Sequence, residues 1–204
     1  MAKEPAAMRA WPYRLFLAGP VLAVLLGSIP ARAAENPSEF VAAFLDEAFG
    51  LFRAEAITVE ERRAALLDLF ATKMDIQGMA RFMTMDQLTK ANPERQQRFE
   101  GLLAGYLVDA FYTKIAEGAS ASVDIAMSSW SSIPDKPAVD SIIRKMDSRP
   151  EPITWRLRPV DGSYKVVDVM SEGISLATTY RAAFGAVMLS GGLERLEELL
   201  AARQ

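Results

Sequence analysis

The chain runs to 204 residues, half of them apolar, with 23 basic against 26 acidic side chains and neither cysteine nor histidine. That length holds one domain with a full core. The composition excludes a disulfide framework and a cysteine-linked lipid anchor, removes the commonest general base and metal ligand, and lacks the basic stripe that nucleic-acid binding requires.

The first 33 residues differ in kind from the rest. Lys3, Arg9 and Arg14 precede an apolar run over 15–29, and Ala31-Arg32-Ala33 follows. A basic start, a short apolar run and a small-x-small end describe a secretory signal peptide over 1–33. The run is broken by Gly19, Pro20 and Gly27 and falls short of the roughly 20 residues that span a bilayer. Cleavage after Ala33 removes four basic residues and one acidic one, leaving 19 against 25 and a net charge of −6 on a single domain, 34–204. The expected location is the periplasm, without an anchor.

Pro37 and Ser38 then open a helix with Phe40, Ala43, Phe44 and Ala48 on one face, ending near 50–53. Thr58-Val59-Glu60-Glu61 is a capping box that starts a second helix carrying Ala65, Leu66, Leu69 and Phe70. Asp75 caps a third, with Met79, Phe82 and Met83 inward. Asn92 as N-cap and Pro93 in the first helical position begin the longest helix. Its face is Phe99, Leu102, Leu103, Tyr106, Leu107, Ala110 and Phe111, it runs to about Ile115, and Gly118 ends it.

Beyond Ser120 the period becomes two. Val123, Ile125 and Met127 alternate with Ser122, Asp124 and Ala126 as in a strand with one buried face. Pro134 and Pro137 break a loop, and 139–146 reads as a second strand. Ile153, Trp155 and Leu157 alternate with Thr154, Arg156 and Arg158, Asp161-Gly162 turns the chain, and 164–170 returns antiparallel. Gly173 permits a sharp turn and Ser175 is available as N-cap for a closing helix with Leu176, Tyr180, Phe184 and Val187 on one face. Gly191-Gly192 interrupts that helix, and Leu193, Leu196, Leu199 and Leu200 make an amphipathic tail. The expected class is α+β: N-terminal helices packed on a curved four-stranded antiparallel sheet, with a C-terminal helix closing an apolar pocket.

Motifs for catalysis are scarce. The chain has no nucleophile elbow, no phosphate-binding glycine loop and no HExxH. Asp168 and Glu172, four apart at the strand-to-helix turn, admit two readings. As a pair they would do acid–base work on a small hydrophobic substrate; as structural groups Asp168 accepts from an Arg, a Tyr or the backbone and Glu172 sits by a helix start that favours negative charge. Arg181 and Arg81 either meet a phosphate or pair with an internal carboxylate. Met74, Met79, Met83 and Met85 suit an apolar surface that accepts varying shapes, and equally suit core filling.

Two blocks carry a resemblance. Tyr164-Lys-Val-Val-Asp-Val-Met-Ser-Glu-Gly-Ile-Ser-Leu-Ala-Thr-Thr-Tyr-Arg-Ala-Ala-Phe184, followed by Gly191-Gly192-Leu193, is similar to the aromatic-Lys-Val-x-Asp-Val strand, Glu-Gly-Val/Ile-Ser turn and Arg-x-x-Phe helix of the MlaC or toluene-tolerance family of periplasmic lipid-binding proteins. Asp75-Ile76-x-x-Met79-Ala80-Arg81-Phe82, with Ala91-Asn92-Pro93-Glu94-Arg95-Gln96 and the helix of Phe99, resembles a second block of the same family. Between the blocks Met85 and Leu88 stand where the family usually has Gly and Trp.

The resemblance implies a fold related to nuclear transport factor 2 and a non-enzymatic, soluble carrier, expected as a monomer without metal or cofactor other than bound lipid. Its ligand would be a phospholipid, or a hopanoid if the chain falls in the hopanoid-associated HpnM branch. Its partners would be an outer-membrane lipoprotein and an inner-membrane ABC transporter complex, in a system that maintains outer-membrane lipid asymmetry. The lipid-contacting residues expected on this basis and on strand parity are Met79, Phe82, Leu103, Tyr106, Leu107, Phe111, Val123, Ile125, Met127, Trp155, Leu157, Val167, Val169, Leu176 and Phe184. Two alternatives stand beside it: an enzyme of the same fold using Asp168 or Glu172, and an adaptor with a filled core.

Overall fold

A computed structural model describes residues 36–126, 137–145 and 149–203. The signal-peptide segment, Met127 and Met146 lie outside the described residues. Five helices, α1 (Pro37–Arg53), α2 (Val59–Lys73), α3 (Ile76–Met83), α4 (Pro93–Gly118) and α5 (Leu176–Ala201), combine with strands β1 (Ser122–Ala126), β2 (Ala138–Arg144), β3 (Glu151–Val160), β4 (Ser163–Ser171) and β5 (Ile174–Ser175). A short 3-10 turn, Gln87–Lys90, joins α3 to α4.

Helix starts follow from local chemistry. The Thr58 hydroxyl accepts from the Glu61 N–H at 3.1 Å while the Glu61 carboxylate accepts from the Thr58 N–H at 2.8 Å, closing the expected box. Asn36, Asn92 and Ser175 each accept from a first-turn N–H at 2.8 to 3.1 Å. Each such bond satisfies a donor that the helix itself leaves free. Replacing Thr58 by Ala is expected to cost about 1 kcal/mol, read as a lowered urea midpoint with unchanged slope.

The sheet is an antiparallel meander in the order β1-β2-β3-β4-β5. It has five strands where the sequence predicts four. The fifth is only two residues, Ile174 and Ser175, folded back on Met170 and Ser171 by a turn in which Glu172 and Gly173 both have positive φ, 51° and 79°. The Asp161-Gly162 turn is built the same way.

A bulge divides β3 and β4 into two registers. Trp155 pairs with Val169 and Arg156 with Asp168, but the next pair is Leu157 with Val166, so Val167 is the extra residue. An extra residue reverses parity. Val166, fully buried, therefore takes the inner position that alternation assigns to Val167. The Val166 carbonyl accepts from the Asp75 N–H at 2.8 Å, fastening the α2–α3 junction to the sheet.

Helices α1, α2 and α4 cover the inner face with Phe40, Phe44, Leu66, Phe70, Phe99, Leu103 and Leu107. Ala43 and Ala110, expected on the inner faces of α1 and α4, are exposed. Paired Arg–carboxylate contacts tie elements distant in sequence: Arg63 to Asp109, and Arg95 to Glu197 through two bonds of 2.9 Å. The latter pins the tail of α5, whose helix breaks at Gly191 and Gly192 as the sequence predicts. Leu196 and Leu200 on that tail are fully buried.

Candidate functional site

Between the helices and the inner sheet face lies a cavity of about 260 Å³. Helix α1 supplies Phe44, Leu45, Ala48 and Phe49; α2 and the residue after it supply Phe70 and Met74; α4 supplies Phe111, Lys114 and Ile115. The sheet supplies Ile143, Ile153, Trp155, Val169 and Ser171, with Lys145 and Glu151 at the strand ends, and Leu176 closes the wall from α5. The pleat explains this selection, since Ile143, Ile153, Trp155 and Val169 project from one face.

The wall is held rigid by aromatic packing and one buried hydrogen bond. The Trp155 ring meets Phe44 edge-on at 5.6 Å, and Phe70 stands between Phe44 and Phe111 at 6.1 and 6.5 Å. The indole N–H of Trp155 donates to the buried Ser141 hydroxyl at 2.9 Å. An indole is buried cheaply only with such a partner.

Polar groups are confined to one end. Lys114, Lys145, Glu151 and Ser171 are the only polar side chains among the described lining residues. They gather where α4 ends, β2 ends and β3 begins. Behind the opposite wall, Met74, Met79, Met83, Leu107 and Tyr180 enclose a void of about 10 Å³ that shares Met74, Phe111, Val169 and Leu176 with the large cavity. Burial pushes the Tyr180 hydroxyl up to about 12, with Tyr106 adding to the shift.

A second hollow, about 830 Å³, lies against the other sheet face, under α3 and the start of α5. Although larger, it is the more polar of the two, lined by Arg156, Arg158, Asp75, Thr154 and Thr178. Both of its arginines are paired, Arg158 to Asp75 at 2.8 Å and Arg156 to Asp168 at 3.4 Å. Met79, Phe82, Leu157, Val167 and Met170 supply its apolar part, so polar and apolar groups are interspersed there and not separated end from end.

The expected lipid-contacting residues divide between these places. Phe111, Trp155, Val169 and Leu176 stand in the wall of the apolar cavity, and Met79 and Leu107 in the small void behind it. Leu103 and Phe184 are buried in solid core, and Tyr106 packs on Tyr180 and Phe184. Val123 is half-buried against the core and Leu157 is buried beside Val166. Phe82 and Val167 line the second hollow instead, and Met79 and Leu157 border it as well. Phe82 is 43% exposed, not inward as helix periodicity predicts: α3 buries Ile76, Met79, Ala80 and Met83, and the Phe82 ring beside that face carries the Arg181 guanidinium at 4.7 Å. The Ile125 side chain and Met127 lie outside the described residues. Phe44, Ala48 and Phe70, read from the sequence only as inward helix positions, line the cavity, as do Leu45 and Phe49, which the sequence reading does not single out, and Met74, which it leaves open between pocket and core; the phenylalanine density of α1 was the available signal.

Of the charged candidates, Asp168 occupies the structural role, while Arg181 meets a backbone carbonyl and not one of the carboxylates expected for it. Asp168, 5% exposed, accepts from the Ala177 N–H at 3.0 Å with one oxygen and from Arg156 with the other. Glu172 is exposed in its turn. Arg181 donates to the Phe82 carbonyl. Met85 adopts φ 52°, the left-handed region where glycine is at ease, and buried Leu88 fills the position of the family's Trp.

A family profile described as MlaC protein matches residues 44–202. Among solved structures, the phospholipid-binding protein from Ralstonia solanacearum, determined in complex with a phospholipid, is similar at 17% identity with a TM-score of 0.73, over 83% of this chain and 97% of that one. No curated protein sequence matches significantly.

Proposed function

From a chain that belongs to the MlaC family, we propose a non-enzymatic carrier that holds the acyl tails of a phospholipid in the cavity under α1. The observation that carries this reading is the cavity's polarity: apolar along its length, with every described polar lining group at one end. An amphiphile fits such a slot tail-first, with its headgroup at the mouth.

The magnitudes suit a carrier. About 260 Å³ lies just under the roughly 300–1,000 Å³ typical of ligand pockets. Burying about ten methylenes at roughly 0.8 kcal/mol each gives a gross 8 kcal/mol, equivalent to a micromolar Kd before ordering costs. Longer or second tails require the slot to lengthen, and displacement of Met74, which lines both the cavity and the small void beside Met79 and Met83, would join the two without breaking a hydrogen bond. Two full tails would be held too tightly for unaided exchange. Release is then a partner's task, which matches delivery across the periplasm between an outer-membrane lipoprotein and an inner-membrane ABC transporter.

Native mass spectrometry of the purified protein, with organic extraction of the same sample, tests this. A phospholipid in about equimolar amount is expected. A hopanoid would move the ligand to the polycyclic branch, and a lipid-free mass under gentle conditions would sink the carrier reading.

A further inference from the structure

Three charged side chains, Lys114, Lys145 and Glu151, line the polar end of the cavity, and a fourth, Glu117, stands just outside it, paired with Lys145. Lys145 at the end of β2 lies 2.6 Å from the Glu117 carboxylate and 4.0 Å from Glu151. Lys114, one helical turn before Glu117 on α4, lies 3.8 Å from the same Glu151 oxygen. The Ser171 hydroxyl donates to the other Glu151 oxygen at 3.3 Å. The set is neutral, two cations against two anions. Lys145 and Glu151 are the more sheltered members, with side chains 21% and 26% exposed.

We propose that this cluster selects lipids with a zwitterionic amino-phosphate headgroup, Lys114 and Lys145 taking the phosphate and Glu151 and Glu117 the primary ammonium. The inference rests on the carrier reading above and names which phospholipid it favours. Ion pairs at this exposure are individually weak, so exchanging them for pairs with a ligand is nearly free. What discriminates is whether the exchange leaves a charge unmatched. An ethanolamine headgroup replaces both partners at once, and its ammonium donates hydrogen bonds that the two carboxylates accept. A glycerol headgroup engages the lysines but sets its phosphate beside two carboxylates that have lost their cations. A choline headgroup balances the charge but has no N–H to donate. The preferred order is therefore ethanolamine, then choline, then glycerol.

Vesicles of equal parts phosphatidylethanolamine, phosphatidylcholine and phosphatidylglycerol, incubated with the protein and removed, give the test. Bound lipid is extracted and its headgroups counted by mass. Phosphatidylethanolamine is expected to exceed phosphatidylglycerol about three- to tenfold, from roughly one or two weak pairs. The double variant Glu117→Gln/Glu151→Gln should bring that ratio to about one, and Glu151→Lys should invert it. Headgroups bound in the vesicle proportions, or a ratio the variants do not move, overturn the proposal while leaving the carrier reading intact. Lipid-free protein overturns both. Soluble glycerophosphoethanolamine in millimolar excess should leave the lipid load unchanged; displacement by it would make the cluster a site for small phosphate compounds and overturn headgroup selection.

Discussion

Val169→Trp is expected to lower the amount of lipid that co-purifies with the protein at least about tenfold, with the fold retained. Val169 projects from β4 into the cavity directly across from Trp155. A second indole there fills the space of several methylenes, and each methylene excluded removes about fourfold in affinity. Because the ring enters existing space, the 1–3 kcal/mol that overpacking costs in a solid core should largely be spared. Val167→Trp is the control on the same strand. The bulge turns Val167 to the opposite face, so its indole occupies the polar hollow and the lipid load should stay. Lipid measured per mole of folded protein decides it: equal loss in both variants would mean the bulge does not partition the sheet, and equal retention would move the tails out of this cavity.

The largest expected effect on stability belongs to Asp168. Asp168→Ala removes the acceptor of the buried Ala177 N–H and the partner of Arg156, and should destabilise by about 3 kcal/mol. Most of that is the orphaned N–H at the start of α5, since the Arg156 side chain is half exposed and returns to water. Asp168→Asn keeps an acceptor oxygen and should cost about 1 kcal/mol. Urea titration of both variants measures this. If the two are equally mild, Asp168 is not the group that seats α5, and its place as an acid–base residue reopens.

Local chemistry was legible in the sequence and packing was not. The Thr58 box, the Asn92-Pro93 start, the Ser175 cap and the Gly191-Gly192 break are settled within four residues of chain, and each appears where the sequence places it. The two-residue β5 was missed because Ile174 and Ser175 carry no alternation; they form a strand only through their pairing with Met170 and Ser171. The bulge at Val167 is a property of two strands together, so strand parity set Val166 and Val167 on the wrong faces. Helix periodicity identifies an inward face without saying whether it meets core or cavity. Leu103 and Phe111 lie two turns apart on α4 with the same apolar character, yet one is in solid core and the other in the cavity wall. The charged cluster joins Lys114 and Glu117 to Lys145 and Glu151 across a long stretch of chain and has no sequence signature.

Space between packed layers has a mechanical meaning as well as a chemical one. Unfolding abolishes internal voids and so shrinks the system, and hydrostatic pressure drives a protein toward whichever state is smaller. Where the apolar part of the cavity stays dry, the lipid-free molecule would be the more compressible and pressure-labile form, and tails filling that space would stiffen it. Loading would thus change the density of the protein's interior, and a pressure titration would read occupancy without any label.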